Sequence, residues 1–184
     1  MANSAMALRQ EPLENERFAN KSVTLEAAPA ASRISLRATA KGAKAFEKSL
    51  GFALPKKPGT SAAKNGKHAL WLGPDEWLII DENQPDDSMV PRLPNPEFSA
   101  VEISHRNAAV NISGQGALAT LAAGSPRDLS LKAFPVGACS RTVFGKAEVV
   151  LYRTAEDAFR MEFWRSYAEY VWGYLVDASQ DAHI

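Results

Sequence analysis

The sequence predicts an α+β fold in which two repeated strand-helix-hairpin units form mainly antiparallel sheets covered by helices. Three observations support this prediction. Short segments alternate apolar and polar residues with the period of a half-buried strand, turn clusters separate pairs of such segments, and the same order of elements occurs twice. With 184 residues, 46% of them hydrophobic, the chain can bury one good core or two small ones sharing an interface.

The first unit is predicted over residues 33–81. Its elements in order are a strand at 34–38, a helix at 42–50, and a hairpin of strands 68–72 and 76–80. Gly51 occupies the position where a left-handed helix cap is expected. Residues 55–65 contain Lys-Lys-Pro-Gly and are predicted to form a mobile loop.

The second unit is predicted over residues 99–178, after a proline-rich linker at 82–96. Its elements in order are a strand at 108–112, a helix at 117–123, a hairpin of strands 139–144 and 148–153, a strand at 158–164 and a helix from 166 to about 178. The final strand and helix are expected to be additions to the repeat. Residues 179–184 are left as a C-terminal tail.

Three pairs of glycines indicate the internal repeat. Gly42 and Gly116, Gly51 and Gly124, and Gly73 and Gly145 are separated by 72 to 74 positions. The same order of elements surrounds both members of each pair. We therefore interpret residues 33–178 as one domain built from two repeats.

Residues 1–32 show no sustained period and are predicted to form an extended or loosely helical arm. Two interpretations stay open: a disordered tail, or an arm that becomes ordered along a partner protein. In the second case Leu13, Phe18, Val23 and Leu25 would be its apolar anchors.

The composition argues against several classes of function. Lys plus Arg and Asp plus Glu each number 21, so no overall field favours nucleic acid or anionic lipid as a partner. No apolar run approaches the roughly 20 residues of a membrane span, and the N-terminus does not resemble a signal peptide. The single cysteine, Cys139, excludes an internal disulfide framework and fits a reducing compartment. A cytoplasmic location is expected.

The motifs that could carry chemistry are all better explained as structural. Gly114-Gln115-Gly116 precedes a predicted helix but lacks the third glycine of a dinucleotide site, so a tight turn is favoured over an anion site. The three histidines, His68, His105 and His183, are too few and too scattered for a three-ligand metal site.

Two further groups have the same structural interpretation. Ser104 and His105 are adjacent in a strand, so their side chains point to opposite faces and cannot form a nucleophile and base pair. Arg141 near Cys139 could activate the thiol, but a buried packing cysteine is commoner. No catalytic, cofactor-binding or metal-binding residue is predicted in this chain.

The last helix combines an apolar stripe with a row of tyrosines. The stripe contains Ala168, Val171, Trp172 and Leu175. Two interpretations carry equal weight: an ordinary amphipathic helix with a broad buried face, or a helix that is core on one side and a protein contact on the other. The second interpretation gives a candidate subunit interface formed by Tyr167, Tyr170, Trp172, Tyr174 and Phe18.

Several segments, taken in order, resemble the gamma subunit family of heterotetrameric sarcosine oxidase. They are residues 70–78 (LWLGPDEWL), 101–106 (VEISHR), 128–129, 133–137 (AFPVG), 139–142 (CSRT), 145–146, 159–160 and 165–172 (RSYAEYVW). The resemblance covers roughly residues 34–178. The segment 103–105 and the turn at 113–114 are also distantly similar to the folate-binding aminomethyltransferase family, which implies a fold of that general type.

The resemblance implies an accessory, non-catalytic subunit of a flavoenzyme that oxidatively demethylates sarcosine to glycine. In that family FAD, FMN, NAD and tetrahydrofolate are held by the alpha and beta subunits and zinc by the delta subunit. The gamma subunit packs chiefly against alpha. One departure is Ser125, where a cysteine is expected in many relatives, and it implies a small packing change.

Two other functions stay open at this point. One is a stand-alone folate-binding module that transfers one-carbon groups in a pocket between the repeats, with Glu102 or Asp128 facing the ligand. The other is a small homodimeric binding protein.

Overall fold

The structure is a computed structural model that describes residues 11–83 and 96–182. Its strands in chain order are β1 (Arg17–Ala19), β2 (Thr24–Ala27), β3 (Ser32–Ala38), β4 (Ser61–Lys64), β5 (Lys67–Gly73), β6 (Glu76–Asp81), β7 (Phe98–Glu102), β8 (Asn107–Ser113), β9 (Cys139–Phe144), β10 (Ala147–Ala155) and β11 (Ala158–Trp164). The helices are α1 (Ala40–Leu50), α2 (Ala117–Ala122) and α3 (Ala168–Asp181), the last preceded by a 3₁₀ turn at Arg165–Tyr167.

These strands form two sheets. The six-stranded sheet has the order β1-β2-β8-β11-β10-β9, and the five-stranded sheet has the order β4-β5-β6-β3-β7. Every pair of neighbouring strands that the structure describes is antiparallel. The predicted α+β class, with mainly antiparallel sheets covered by helices, is therefore confirmed.

The N-terminal segment differs from the predicted arm. Leu25 in β2 is paired with Ile112 in β8, so this segment is part of the six-stranded sheet. Leu13, Val23 and Leu25 are buried in the same core as the strands of the second repeat. The physical reason is that β2 supplies the hydrogen-bond partners that one edge of β8 needs. Most of the predicted linker, residues 84–95, lies outside the described residues, as do residues 1–10 of the predicted arm and residues 183–184 of the predicted C-terminal tail. Helix α3 continues to Asp181, so residues 179–181 are helical and not part of a tail.

The strand order shows that the elements of the two repeats correspond differently from the prediction. The series β4-β5-β6-β3-β7 in one sheet corresponds to β9-β10-β11-β8-β2 in the other. Hairpin β5–β6 therefore matches β10–β11, and both hairpins shift register near the turn, between Trp71 and Gly73 and between Arg153 and Ala155. The predicted pairing of Gly73 with Gly145 is wrong, because Gly145 lies in the β9–β10 turn. Strand β11 is part of the repeat, and β4, in the predicted loop, is the counterpart of β9.

Each sheet is completed by a strand from the segment that precedes the other repeat. Strand β2 comes directly before β3 in the chain but pairs with β8. Strand β7 comes directly before β8 but pairs with β3. The two halves of the molecule are thus joined by an exchange of strands.

The sheets form the two central layers of the molecule. Helices α2 and α3 share a core with the six-stranded sheet, and α1 shares a core with the five-stranded sheet. Strand β6 shows how the layers arise: Trp77 and Ile79 face the α1 core, whereas Leu78 and Ile80 face the layer between the sheets. Both faces of this strand are buried, as its near-continuous apolar sequence predicts.

Helix α1 begins and ends where its sequence provides caps. The Thr39 hydroxyl accepts a hydrogen bond from the Gly42 amide, and Gly51 ends the helix with a φ of 84°. Phe46 and Leu50, four residues apart, bury one face. Gly42 brings the helix close to the carbonyl of Glu97, which itself accepts a hydrogen bond from the Thr39 amide at 2.9 Å. The start of α1 is therefore fixed against the start of β7.

A network of buried charges connects the two sheets. Arg33 Nε on β3 and Arg160 Nε on β11 donate to the two oxygens of Glu162 at 2.6 and 2.7 Å. Arg160 Nη1 also donates at 2.6 Å to Glu82, which follows β6. Arg33, Arg160 and Glu162 are all buried. Because charges cannot remain unpaired in this layer, the network fixes how the sheets stack.

Replacing Glu162 by glutamine should destabilise the protein by about 3 to 5 kcal/mol, because the buried Arg33 would lose its carboxylate. Burial acts to raise the pKa of Glu162, but the charges of Arg33 and Arg160 outweigh it, so this pKa is lowered. A carboxyl with a folded pKa below its unfolded value of about 4.3 stabilises the fold above that pH, and its contribution is lost as the pH falls. Urea unfolding from neutral to acidic pH measures both effects.

The matched control is Glu156→Gln, since this side chain is exposed. It should change the free energy of unfolding by less than about 0.5 kcal/mol. The network would not hold the sheets together if Glu162→Gln unfolded at the wild-type urea concentration and kept the wild-type dependence on pH.

Two glycines inside helices give a second prediction. A Cβ at Gly42 would overlap the carbonyl oxygen of Glu97, whereas a Cβ at Gly173 in α3 would meet no atom within 4 Å. We expect Gly173→Ala to stabilise the protein by about 0.5 to 1 kcal/mol, because alanine favours the helix. Gly42→Ala should destabilise it by about 1 kcal/mol or more through the overlap. Thermal unfolding compares them, and equal melting temperatures for the two variants would contradict the close approach of α1 and β7.

Candidate subunit interface

Helix α3 lies on the outer face of the six-stranded sheet. Ala168, Val171 and Leu175 are buried in the core below it, and Trp172 is partly buried against the same core. The side chain of Asn20, in the β1–β2 turn, donates to the carbonyl of Ser179 near the end of the helix at 2.9 Å. The helix is therefore firmly attached, and its predicted apolar stripe is the buried one.

The five predicted interface residues differ in how far they are exposed. Tyr167 and Tyr170 are 36% and 41% exposed. Trp172, Tyr174 and Phe18 are partly buried and pack against the core. Phe18 lies on the edge strand β1, paired with Leu25, and no ring contact joins it to the helix aromatics in the part of the chain that the structure describes.

Two of the tyrosines also hold the fold together. The Tyr170 hydroxyl accepts a hydrogen bond from the backbone amide of Lys146 at 3.1 Å, and the Tyr174 hydroxyl donates to the carbonyl of Ala123 at 2.9 Å. These two bonds keep the β9–β10 turn and the end of α2 in place against α3. Gly145, with a φ of 57°, leaves the space that both rings occupy. These contacts position the tyrosines, and the exposed part of Tyr170 stays available to a partner.

Sequence reasoning missed Trp164, which is 43% exposed. Its ring lies 6.3 Å from that of Tyr167, and the Arg106 guanidinium lies 5.5 Å from its centre. The two-residue period of β11 indicates this, because it puts Trp164 on the same face as Arg160 and Glu162, opposite the apolar face of the strand. We call the three exposed aromatic residues Trp164, Tyr167 and Tyr170 the aromatic patch.

The space between the sheets near this patch is small. It is a cavity of about 40 Å³ whose lining includes Glu76, Arg141, Glu148 and Trp164. Arg141 Nη2 donates to Glu76 at 2.5 Å, and this bond raises the pKa of Arg141. A cavity of this size can hold about one water molecule and is too small for a substrate or cofactor.

The two carboxylates proposed for a folate site are used in local contacts. Glu102 accepts hydrogen bonds from both the amide and the hydroxyl of Ser104, which in turn accepts a bond from the Arg33 amide at 2.7 Å. Asp128 is exposed, and the hydrogen bond from the Ser130 amide lowers its pKa. Neither residue lines the cavity between the sheets.

The remaining candidates are also in structural positions. The Cys139 thiol is buried beside the carbonyls of Thr60 and Trp71, and burial raises its pKa to about 12, so it stays protonated. In the glycine motif, Gly114 has a φ of 110° and its carbonyl accepts the turn hydrogen bond from the Ala117 amide at 2.9 Å. The Gly116 amide donates to the Ser22 carbonyl at 3.0 Å, so it is used within the fold.

The histidines do not come together in the structure. His68 Nε2 lies 3.5 Å from Glu82 in the layer between the sheets, His105 is exposed, and His183 lies outside the described residues. Within residues 11–83 and 96–182 no group of three or more His, Cys, Asp and Glu side chains is arranged to hold a metal ion. None of the helices in these ranges is long and apolar enough to cross a membrane.

The folate-binding type of fold is supported by a structural comparison. The chain is similar to the glycine cleavage system aminomethyltransferase T from Bartonella henselae, with a TM-score of 0.63 and 15% sequence identity over 90% of this chain and 47% of the other. At this level of identity the similarity shows the fold alone.

Proteins with higher sequence identity to this chain are sarcosine oxidase subunits or chains of that enzyme. Sarcosine oxidase subunit gamma from Corynebacterium sp. (strain U-96) is 28% identical over 98% of this chain and 88% of the relative, and that from Arthrobacter sp is 30% identical over 94% and 90%. A chain of the solved heterotetrameric sarcosine oxidase from Corynebacterium sp. U-96 matches with a TM-score of 0.83 and 25% identity, covering 96% of this chain and 97% of that one. Residues 37–181 match the model of the sarcosine oxidase gamma subunit family. The chain belongs to this family.

Proposed function

We propose that this chain is the accessory gamma subunit of a heterotetrameric flavoenzyme that oxidatively demethylates sarcosine to glycine. The observation that carries the proposal is the match, over 96% of this chain and 97% of the other, with a chain of a solved heterotetrameric sarcosine oxidase. The chain itself is proposed to contribute structure to the complex and no catalytic residue.

The proposal assigns the chemistry to the partner subunits. Alpha, beta and delta are the partners, with alpha as the main contact, and FAD, FMN, NAD, tetrahydrofolate and zinc are placed on them. This division is supported by the contacts of Cys139, Ser104 and Gly116, each of which is used within the fold of this chain. The proposed compartment is the cytoplasm, in keeping with a single cysteine held as a buried thiol.

The stand-alone folate module has less support. It requires a pocket between the repeats, and the cavity there measures about 40 Å³. It also requires Glu102 or Asp128 to face the ligand, whereas both are bonded to neighbouring serines. Membership of the gamma subunit family favours the subunit interpretation over this alternative.

The aromatic patch is the proposed contact with the main partner. Tyr and Trp are common anchors at protein interfaces because each combines a large apolar area with a polar group. Trp164, Tyr167 and Tyr170 are exposed, and Arg106 beside them adds a second group that is frequent at interfaces. The other predicted residues, Trp172, Tyr174 and Phe18, are proposed to support the helix and the edge strand beneath this surface.

Affinity purification of the tagged chain from its native cells tests the proposed function. We expect a yellow complex containing three other polypeptides, identified by visible absorbance and mass spectrometry. The proposal fails if the chain is recovered as a colourless monomer or homodimer, or if the isolated chain binds flavin stoichiometrically.

Replacing Tyr167 and Tyr170 together by alanine should weaken assembly by about 2 to 4 kcal/mol, the scale of interface hot spots. The matched control is the double phenylalanine variant, which keeps both rings but removes the hydroxyl that Lys146 contacts. Gel filtration and titration of the subunits measure assembly, and thermal unfolding of each free chain measures the structural effect. Wild-type assembly by a stably folded double alanine variant would show that the patch is not the contact.

A further inference from the structure

A second surface lies on the opposite outer layer of the molecule. It is a groove of about 490 Å³ between helix α1, hairpin β5–β6 and the loop before β4. Its walls are apolar: Trp71 and Trp77 form one side, and Ala43, Pro58 and Pro74 lie around them. Trp71 is only partly buried by the fold itself. The groove can therefore receive an apolar side chain against an indole ring.

The surroundings of the groove are basic although the whole chain carries no net charge. Residues 41–64 contain six lysines and one acidic residue, Glu47. Glu47 also lines the groove, and its carboxylate accepts a hydrogen bond from the Leu54 amide at 3.0 Å. Lys44 and Lys56 line the groove and are exposed, and neither makes an ion pair within the described residues. The charged lining thus consists of two lysines and one carboxylate, an excess of one positive charge.

The geometry fits a polypeptide better than a small molecule. Small-molecule sites depend on a few buried polar groups that converge on the ligand. Here the indole N–H of Trp77 is already donated to the Pro55 carbonyl at 2.8 Å, and the charged groups of the lining are the long side chains of Lys44, Glu47 and Lys56. Rim charges of this kind guide association and select a partner of opposite charge.

We infer that this groove, which we call the tryptophan groove, binds an acidic segment of a partner subunit that inserts an apolar side chain beside Trp71. The inference rests on the proposed function, because the complex supplies the partner. It assigns a second contact surface, separate from the aromatic patch, and gives its chemistry: carboxylates at Lys44 and Lys56 around one apolar anchor.

The test is the double charge reversal Lys44→Glu with Lys56→Glu in the full chain. Association with a complex of the other three subunits is followed by biolayer interferometry at low and high salt. We expect the association rate to fall by about tenfold at low salt and the difference to shrink at high salt, since exposed charges are screened. Both lysines are exposed, so the variant should fold normally.

The matched control reverses two exposed lysines elsewhere, Lys21→Glu with Lys132→Glu, and should associate at nearly the wild-type rate. A further variant, Trp71→Ala, should raise the dissociation constant by about tenfold or more if the indole is an anchor. Circular dichroism confirms that each variant is folded.

Each outcome has one meaning. An equal fall in the association rate of the test and control variants, or no fall in either, overturns the inference while leaving the proposed function intact. Failure of the wild-type chain to join the other subunits overturns both. Formation of a homodimer that the Lys44 and Lys56 reversals disrupt would assign the groove to a second copy of this chain and overturn the assignment to a partner subunit.

Discussion

The carboxylate of Glu162 lies between the guanidinium groups of Arg33 and Arg160, and the stacking of the two sheets depends on this contact. Arg33 comes from one sheet and Arg160 from the other, and Glu82 extends the network back to the first. An ion pair buried in this way contributes little net stability but penalises every arrangement in which a charge is left alone. The network therefore specifies one relative position of the sheets, which apolar contacts alone would specify less strictly.

With the polar side chains held between the sheets, the helices occupy the two outer layers. Strand β11 illustrates the division, since Phe159, Met161 and Phe163 face α2 and α3 while Glu162 faces inward. The two surfaces proposed for partner contacts follow from this arrangement. Tyr167 and Tyr170 of the aromatic patch lie at the start of α3, whereas the tryptophan groove lies beside α1, so the two surfaces involve helices of different outer layers. A subunit with this distribution is suited to contact its complex on more than one side.

Local signals in the sequence were sufficient for most elements. Gly51 ends α1 and the alternation of β10 and β11 is clear, so both were predictable. The correspondence between the elements of the two repeats was not predictable. Gly145 matches Gly73 in spacing, but Gly145 lies in hairpin β9–β10, whereas the counterpart of the Gly73 hairpin is β10–β11. Strand pairing is a non-local property that residue periods do not contain. The period of β11 indicates that Trp164 lies on the polar face of the strand, but its exposure also depends on how β11 ends against its neighbours, which is again non-local.

Synthesis from the N-terminus delivers β2 long before β8, its partner in the sheet, has been made. During this interval Leu25 is paired with Phe18 of β1 on one side only, and β3 likewise waits for β7 before its second edge is covered. Neither half of the chain can complete its own sheet as an isolated folding unit. A protein connected in this way folds late and as a whole, since closing long loops must precede the gain from pairing. Nascent chains with open strand edges of this kind depend on protection from aggregation until translation ends.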